Sequence, residues 1–120
     1  MSVLSIFVFE PDLIFSSKFN RLNQSMGIEF RIFSDSNEFL TSAQHEAKAL
    51  IINLDAFSSE NLQSAVKIGI PVMGYYSHVN SDVARNALRL GVSPVVTRGA
   101  FLVRSELLVD ELLRATRKGL

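Results

Sequence analysis

Cysteine is absent from the 120 residues, which excludes disulfide frameworks, thiolate metal sites and cysteine nucleophiles. Net charge is absent as well. Twelve Lys+Arg balance twelve Asp+Glu, so no broad basic field exists for non-specific nucleic-acid binding, nor a polybasic membrane anchor. Six Gly and three Pro are too few for a collagenous or low-complexity chain, and a hydrophobic fraction of 48% is too high for a disordered one. No apolar run approaches the roughly 18–20 residues of a membrane span. The two histidines, His45 and His78, lack the spacing of a histidine metal centre. Neither glycine-loop nucleotide motif, G-x-x-x-x-G-K-[ST] or G-x-G-x-x-G, occurs. Val3–Phe9 has no basic segment before it and runs straight into Glu10-Pro11-Asp12, so the expectation is no secretion signal and a cytoplasmic protein.

What is present is an alternation of two periods. Val3–Phe9 is short, bulky and β-branched, as a buried strand is. Pro11 suits the first turn of the helix that follows, in which Phe15, Phe19, Leu22 and Met26 recur before Gly27 stops it. Residues 28–33 alternate like an edge strand. Asp35 with Glu38 predicts a capped second helix bearing Phe39, Leu40, Ala43 and Ala47. Ala49–Ile52 is the most continuous apolar strand and belongs at the centre. Ser58 or Ser59 opens a third helix with Leu62, Ala65 and Val66, ended by Gly69. Strand four spans Ile70–Tyr76 with Pro71 at its beginning, where a missing donor is tolerated. Asn80 or Ser81 caps a helix with Ala84, Ala87 and Leu88, closed by Gly91. Val95–Thr97 is strand five, and the last helix carries Val103, Leu107, Leu108, Leu112 and Leu113.

Five β-α units with short connections predict an α/β fold: one domain over residues 1–120, parallel strands and helices on both faces. In such sheets the site lies outside the carboxyl ends of the strands. That gathers the loops beginning at Glu10, Asn53 and Tyr76, and the Arg98 turn, around one crevice.

At these strand ends the sequence resembles the receiver domains of two-component response regulators, of the chemotaxis-regulator type, over essentially the whole chain. The segment from Pro71 to Phe101 carries the likeness. Ile-Pro-Val-Met-Gly-Tyr-Tyr-Ser-His leads to Ala87 and Gly91, and then to Val-Val-Thr-Arg-Gly-Ala-Phe. Arg98 follows Tyr76 by 22 residues, the interval that the family keeps between its Thr/Ser and its Lys. The resemblance implies a flavodoxin-like strand order 2-1-3-4-5 and a signalling rather than an enzymatic role. It also implies an acidic pair after strand one for Mg²⁺, and an Asp at the end of strand three as phosphoryl acceptor.

The chain departs from that pattern at four positions. Glu10 matches the first acid, but Pro11 stands where the second is usual and Asp12 is displaced toward the helix. Lys48-Ala49-Leu50-Ile51-Ile52-Asn53 places Asn53 at the acceptor position. Asp55 is the alternative, but it would put Asn53 inside the apolar run, where an unpartnered amide costs about 1–3 kcal/mol. Tyr76 stands in place of Thr/Ser, with Ser77 as a substitute, and Arg98 replaces a compact ammonium with a planar fork. The expectation is therefore an atypical receiver, a stand-alone signalling and interaction module that works without phosphorylation. The alternatives are phosphoryl transfer to Asp55 and a small-ligand-binding sheet.

Each candidate residue also has a plainer reading. Glu10, Asp12 and Asp55 are the carboxylates available for a weak Mg²⁺ site; otherwise Glu10 and Asp12 simply sit at a helix N-terminus, favourable by about 0.3–1 kcal/mol. No cofactor is expected beyond that doubtful Mg²⁺. Arg98 either neutralises a buried acid or forms a surface ion pair. Of Tyr75 and Tyr76, one ring should pack in the core and the other fill the crevice. His78 beside Ser77 has no third residue to orient a catalytic pair. Arg85, Arg89, Arg104, Glu106 and Asp110, with Glu111, mark the face of the fourth helix, fifth strand and fifth helix. The expected partner there is another signalling protein or a second copy, with no nucleic acid and no membrane.

Overall fold

The computed structural model describes residues 5–118, so Val3 and Leu4 of the expected first strand lie outside the described residues. The elements alternate as β1 (Ser5–Phe9), α1 (Leu13–Met26), β2 (Glu29–Phe33), α2 (Ser36–Glu46), β3 (Ala49–Asn53), α3 (Ser59–Lys67), β4 (Val72–Tyr76), α4 (Ser81–Leu90), β5 (Val95–Thr97) and α5 (Arg98–Lys118). One 3-10 turn, Leu54–Ala56, follows β3. The strands are all parallel, in the order β2-β1-β3-β4-β5. This is the expected flavodoxin-like architecture. β3 lies between β1 and β4 with helices over both faces, and all five of its residues are buried.

Because side chains alternate along a strand, the sheet builds two cores. Ile6, Val8, Ile51, Met73 and Tyr75 face α1 and α5, where they meet Phe15, Phe19, Phe101 and Leu112. Phe7, Phe9, Leu50, Ile52 and Val72 face α2, α3 and α4, against Phe39, Leu62 and Ala87. Gly74 is on this second side for a packing reason. A Cβ there would lie 2.7 Å from Cγ and Cδ1 of Leu54, so only glycine lets the turn after β3 settle over β4.

Asp12 caps α1 by accepting from the Ile14 and Phe15 amides, and Asp35 caps α2 in the same way. Ser58, not Ser59, caps α3. Pro11 therefore precedes the cap instead of entering the first turn, since Asp12 is the residue whose side chain satisfies the free amides. Phe101, which was not among the residues expected on the apolar stripe of the last helix, is the first core-facing residue of α5. The buried stripe is Phe101, Ser105, Leu108 and Leu112, which leaves Val103 (85% exposed) and Leu107 outside the core. Arg104 also breaks the helical run, with φ −119° and ψ 26°. Leu88 is likewise exposed, because the stripe of α4 runs through Ala84 and Ala87.

Candidate functional site

The alternation that fills the α1/α5 core continues past its last apolar residues. Glu10 follows Val8, Asn53 follows Ile51 and Tyr75 follows Met73; Asn53 and Tyr75 are direct neighbours across β3 and β4. All three are buried, Glu10 to 1% exposure and Asn53 to 4%. The Tyr75 hydroxyl donates to Glu10 Oε1 at 2.6 Å, and Asn53 Nδ2 donates to both Glu10 oxygens at 3.1 Å. The Asp12 amide donates to Oε2 at 2.9 Å. Among the described residues no cation is ion-paired with Glu10, and a buried carboxylate so placed needs such a set of donors to offset its desolvation. The Tyr75 ring packs between Phe15 and Phe101, with centroids at 5.0 and 5.1 Å. Burial, then the bond to Glu10 and its charge, pushes the phenol far above its ordinary range; the Arg98 charge pulls weakly the other way.

Asn53 uses its amide at both ends. While Nδ2 holds Glu10, Oδ1 accepts from the Asp55 amide at 3.0 Å and opens the 3-10 turn. That turn carries the Asp55 carboxylate outward. Its Oδ2 accepts from the Ser77 amide at 2.7 Å and its Oδ1 from Asn80 Nδ2 at 2.9 Å. Asn80 occupies the cap position of α4 yet makes no side-chain cap bond, because its amide is engaged by Asp55.

Several expected site residues are placed differently. Tyr76 turns to the opposite face of the sheet and packs partly against the second core, as the alternation requires. The crevice residue is Tyr75. Arg98 forms neither expected pair: its guanidinium lies over the Phe15 ring, 4.8 Å from the centroid, and its Nε is buried without a hydrogen-bond partner. Thr97 Oγ1 accepts from the Ala100 amide at the start of α5.

Mg²⁺ requires free carboxylate oxygens. Glu10 has both of its oxygens engaged, Asp12 caps α1, and Asp55 is held by the loop after β4. Among the described residues no group of three or more acids and histidines is arranged to hold a metal ion. This donor set does not fit the cation.

Of the six charged residues expected on one interaction face, three bond partners within their own helices. Arg85 pairs with Asp82, Arg89 bonds Asn86, and Asp110 pairs with Arg114 at 2.9 Å, each within its own helix. Arg104 and Glu106 instead border a shallow pocket together with Lys18 of α1. No described helix is long and apolar enough to cross a membrane.

Sequence reasoning put Tyr76 in the pocket, left open which of the two tyrosine rings fills the crevice, and left out Asn80 as a site residue. The signal for Tyr75 was available: it is the last residue in phase with Met73. Nothing local marked Asn80, since its partner comes from a loop 25 residues away.

No family model and no curated protein matches the sequence. Solved structures do. A response regulator receiver domain protein (CheY-like) from Methanospirillum hungatei superimposes with a TM-score of 0.85 at 15% identity, over 98% of this chain and 99% of that one. A receiver domain protein from Clostridium thermocellum gives 0.84 at 16% identity, covering 98% and 100%. Full-length FixJ from B. japonicum gives 0.82 at 17% identity, covering 97% of this chain but 60% of the other. The fold of this chain is that of the response regulator receiver domains.

Proposed function

We propose that the protein is a receiver-type signalling module that acts through protein contacts, without accepting a phosphoryl group at the end of β3. One observation carries this reading: the side chain at that position is the Asn53 amide, and it donates to both oxygens of Glu10. An amide is a poor nucleophile toward phosphorus, and the acid that would attract a metal is already saturated. The buried network thus takes the place that metal and phosphoryl group have in the family. Exposed apolar side chains support a role in protein contact. Leu13 and Ile14 open α1 at 83% and 87% exposure, and Val103 lies on the neighbouring start of α5. The partner is another signalling protein.

Acetyl phosphate, or beryllofluoride, with Mg²⁺ tests the proposal. The intact mass and the amide spectrum stay unchanged if it holds. A stoichiometric phosphoryl group overturns it, and loss of that group in Asp55→Asn would assign the acceptor to Asp55.

A further inference from the structure

β2 is the outer strand of the sheet beside β1, and among the described residues no strand pairs with its far edge. One bond gives the direction of its backbone groups. The Phe33 carbonyl accepts from the Glu10 amide, so Phe33 turns its backbone toward β1. Successive residues of a strand turn alternately, so Glu29 and Arg31 do the same, while Phe30 and Ile32 present their N–H and C=O groups outward. An open edge of this kind is a template for another strand, and proteins usually blunt it with proline, a bulge or charge. β2 contains no proline, runs in unbroken register against β1, and carries its two charges with opposite signs.

This edge is its own complement. Ile28-Glu29-Phe30-Arg31-Ile32 laid against its own reverse sets Ile opposite Ile, Glu opposite Arg and Phe opposite Phe. Two copies paired antiparallel about Phe30 therefore place Glu29 of each chain opposite Arg31 of the other. The two Phe30 residues meet as a hydrogen-bonded pair, because their backbone groups point outward. Centring the pair on Arg31 would oppose that residue to itself, so charge selects the first register. The two faces of the joint also differ as a strand pair requires. On the α1 side Phe30 and Ile32 are half-buried against the first core beside buried Ile28, and a second copy extends that apolar surface. On the α2 side Glu29 and Arg31 are exposed. There Arg31 lies over the Phe7 and Phe33 rings and pairs with Glu46, which holds its guanidinium along the edge. With zero net charge, two copies meet without overall repulsion.

We propose that two copies of this chain join edge to edge through β2, antiparallel about Phe30, into one continuous sheet. This surface is not the face of α4, β5 and α5 expected from the sequence. The inference does not rest on the signalling reading and holds whether or not the chain is ever phosphorylated.

Sedimentation of the full chain over a concentration series tests it, with amide hydrogen exchange as the second readout. A reversible monomer–dimer equilibrium is expected. The Phe30 and Ile32 amides should gain protection as the dimer fills, while the Arg31 amide, turned toward β1, stays protected at every concentration. Arg31→Glu opposes two acids and Glu29→Lys opposes two bases, so each alone should weaken self-association by about tenfold or more. Mixed in equal amounts, the two variants are complementary at both contacts and should associate with each other as the parent chain does with itself. Arg31→Gln, which removes the charge without repelling Glu46, should weaken association less and serves if Arg31→Glu does not fold. The proposal is overturned if the parent chain stays monomeric, if the variants dimerise like the parent, or if the mixture associates no better than its components.

Discussion

Glu10 and Asp55 both stand at the carboxyl edge of the sheet, one strand apart, in opposite surroundings. Glu10 lies on the α1/α5 side, buried, with Tyr75, Asn53 and the Asp12 amide around it. Asp55 lies on the solvent side, exposed, and holds the loop after β4 through the Ser77 amide and Asn80. A charge removed from water depends on every one of its donors, because leaving it unpaired costs several kcal/mol. A charge left in water gains little from its bonds and gives them up readily. The inner region should therefore behave as structure, and the outer one as a clasp that can open.

Asn53→Asp is the most direct way to break the inner region. It replaces the amide donor with a second carboxylate against Glu10, and two acids at this separation do not both ionise readily. We expect a loss of about 3–5 kcal/mol near neutral pH, measured by denaturant unfolding. The repulsion holds one carboxyl above its unfolded value. The penalty should therefore shrink as pH falls toward the unfolded Asp range, near about 3.9, and grow again as pH rises. Millimolar Mg²⁺ should raise the midpoint of this variant and leave that of the parent chain unmoved. An unchanged stability at pH 7 would mean that the Asn53–Glu10 contact is dispensable.

Tyr75→Phe removes only the hydroxyl and keeps the ring between Phe15 and Phe101. A hydrogen bond to a charged group contributes about 1.5–3 kcal/mol, and that is the expected loss. The phenol titrates well above its unfolded value, so its contribution is complete below the unfolded pKa, about 10. Above that pH the unfolded chain loses the Tyr75 proton and the folded chain keeps it. Stability should then fall by about 1.4 kcal/mol per pH unit. Tyr75→Phe should lack that component. If the alkaline slopes coincide, Tyr75 ionises in the folded chain and the inner region is less closed than its geometry implies.

The inner region also divides what the sequence reveals from what it conceals. Element order, strand direction and both cores were legible, because periods of two and 3.6 are local properties of the chain. The position of Asn53 was legible too, since a run of four apolar residues can put only its terminal amide at the strand end. Tyr75 was passed over in favour of Tyr76, because a likeness of spacing was followed where the strand's own alternation pointed the other way. Arg98 was expected to pair with an acid because charges usually do. That every nearby acid is satisfied by amides and a phenol follows from register between strands 43 and 65 residues apart, which one sequence does not display. Val103 and Leu107 were misread for a related reason: Phe101, left out of the last helix's apolar stripe, is the residue that sets the core face of α5.

Gly74→Ala acts on the joint between the two regions. The added Cβ meets Leu54, whose turn carries Asp55 away from Glu10. Overpacking of this kind costs about 1–3 kcal/mol. Adding Leu54→Ala should recover part of that loss, giving a non-additive double-mutant cycle. Additive effects would show that the turn tolerates the methyl by shifting elsewhere.

Asp55→Ala should give the smallest change in stability and the clearest change in mobility. Removing the carboxylate frees the Ser77 amide and the Asn80 side chain together. The two lost surface bonds are worth roughly 0–1 kcal/mol each. Asn80 already sits at the cap position of α4, so its released side chain can accept from the amide of Asp82 or Val83, and an Asn cap is worth about 1 kcal/mol. Loss and gain are of similar size, so the unfolding free energy should move by less than about 1 kcal/mol. Hydrogen exchange distinguishes this compensation from an inert surface substitution: the Ser77 amide should exchange faster while Asp82 or Val83 becomes more protected. Protection unchanged at all three would mean that Asp55 holds nothing, and the contrast with Glu10 would be one of burial alone.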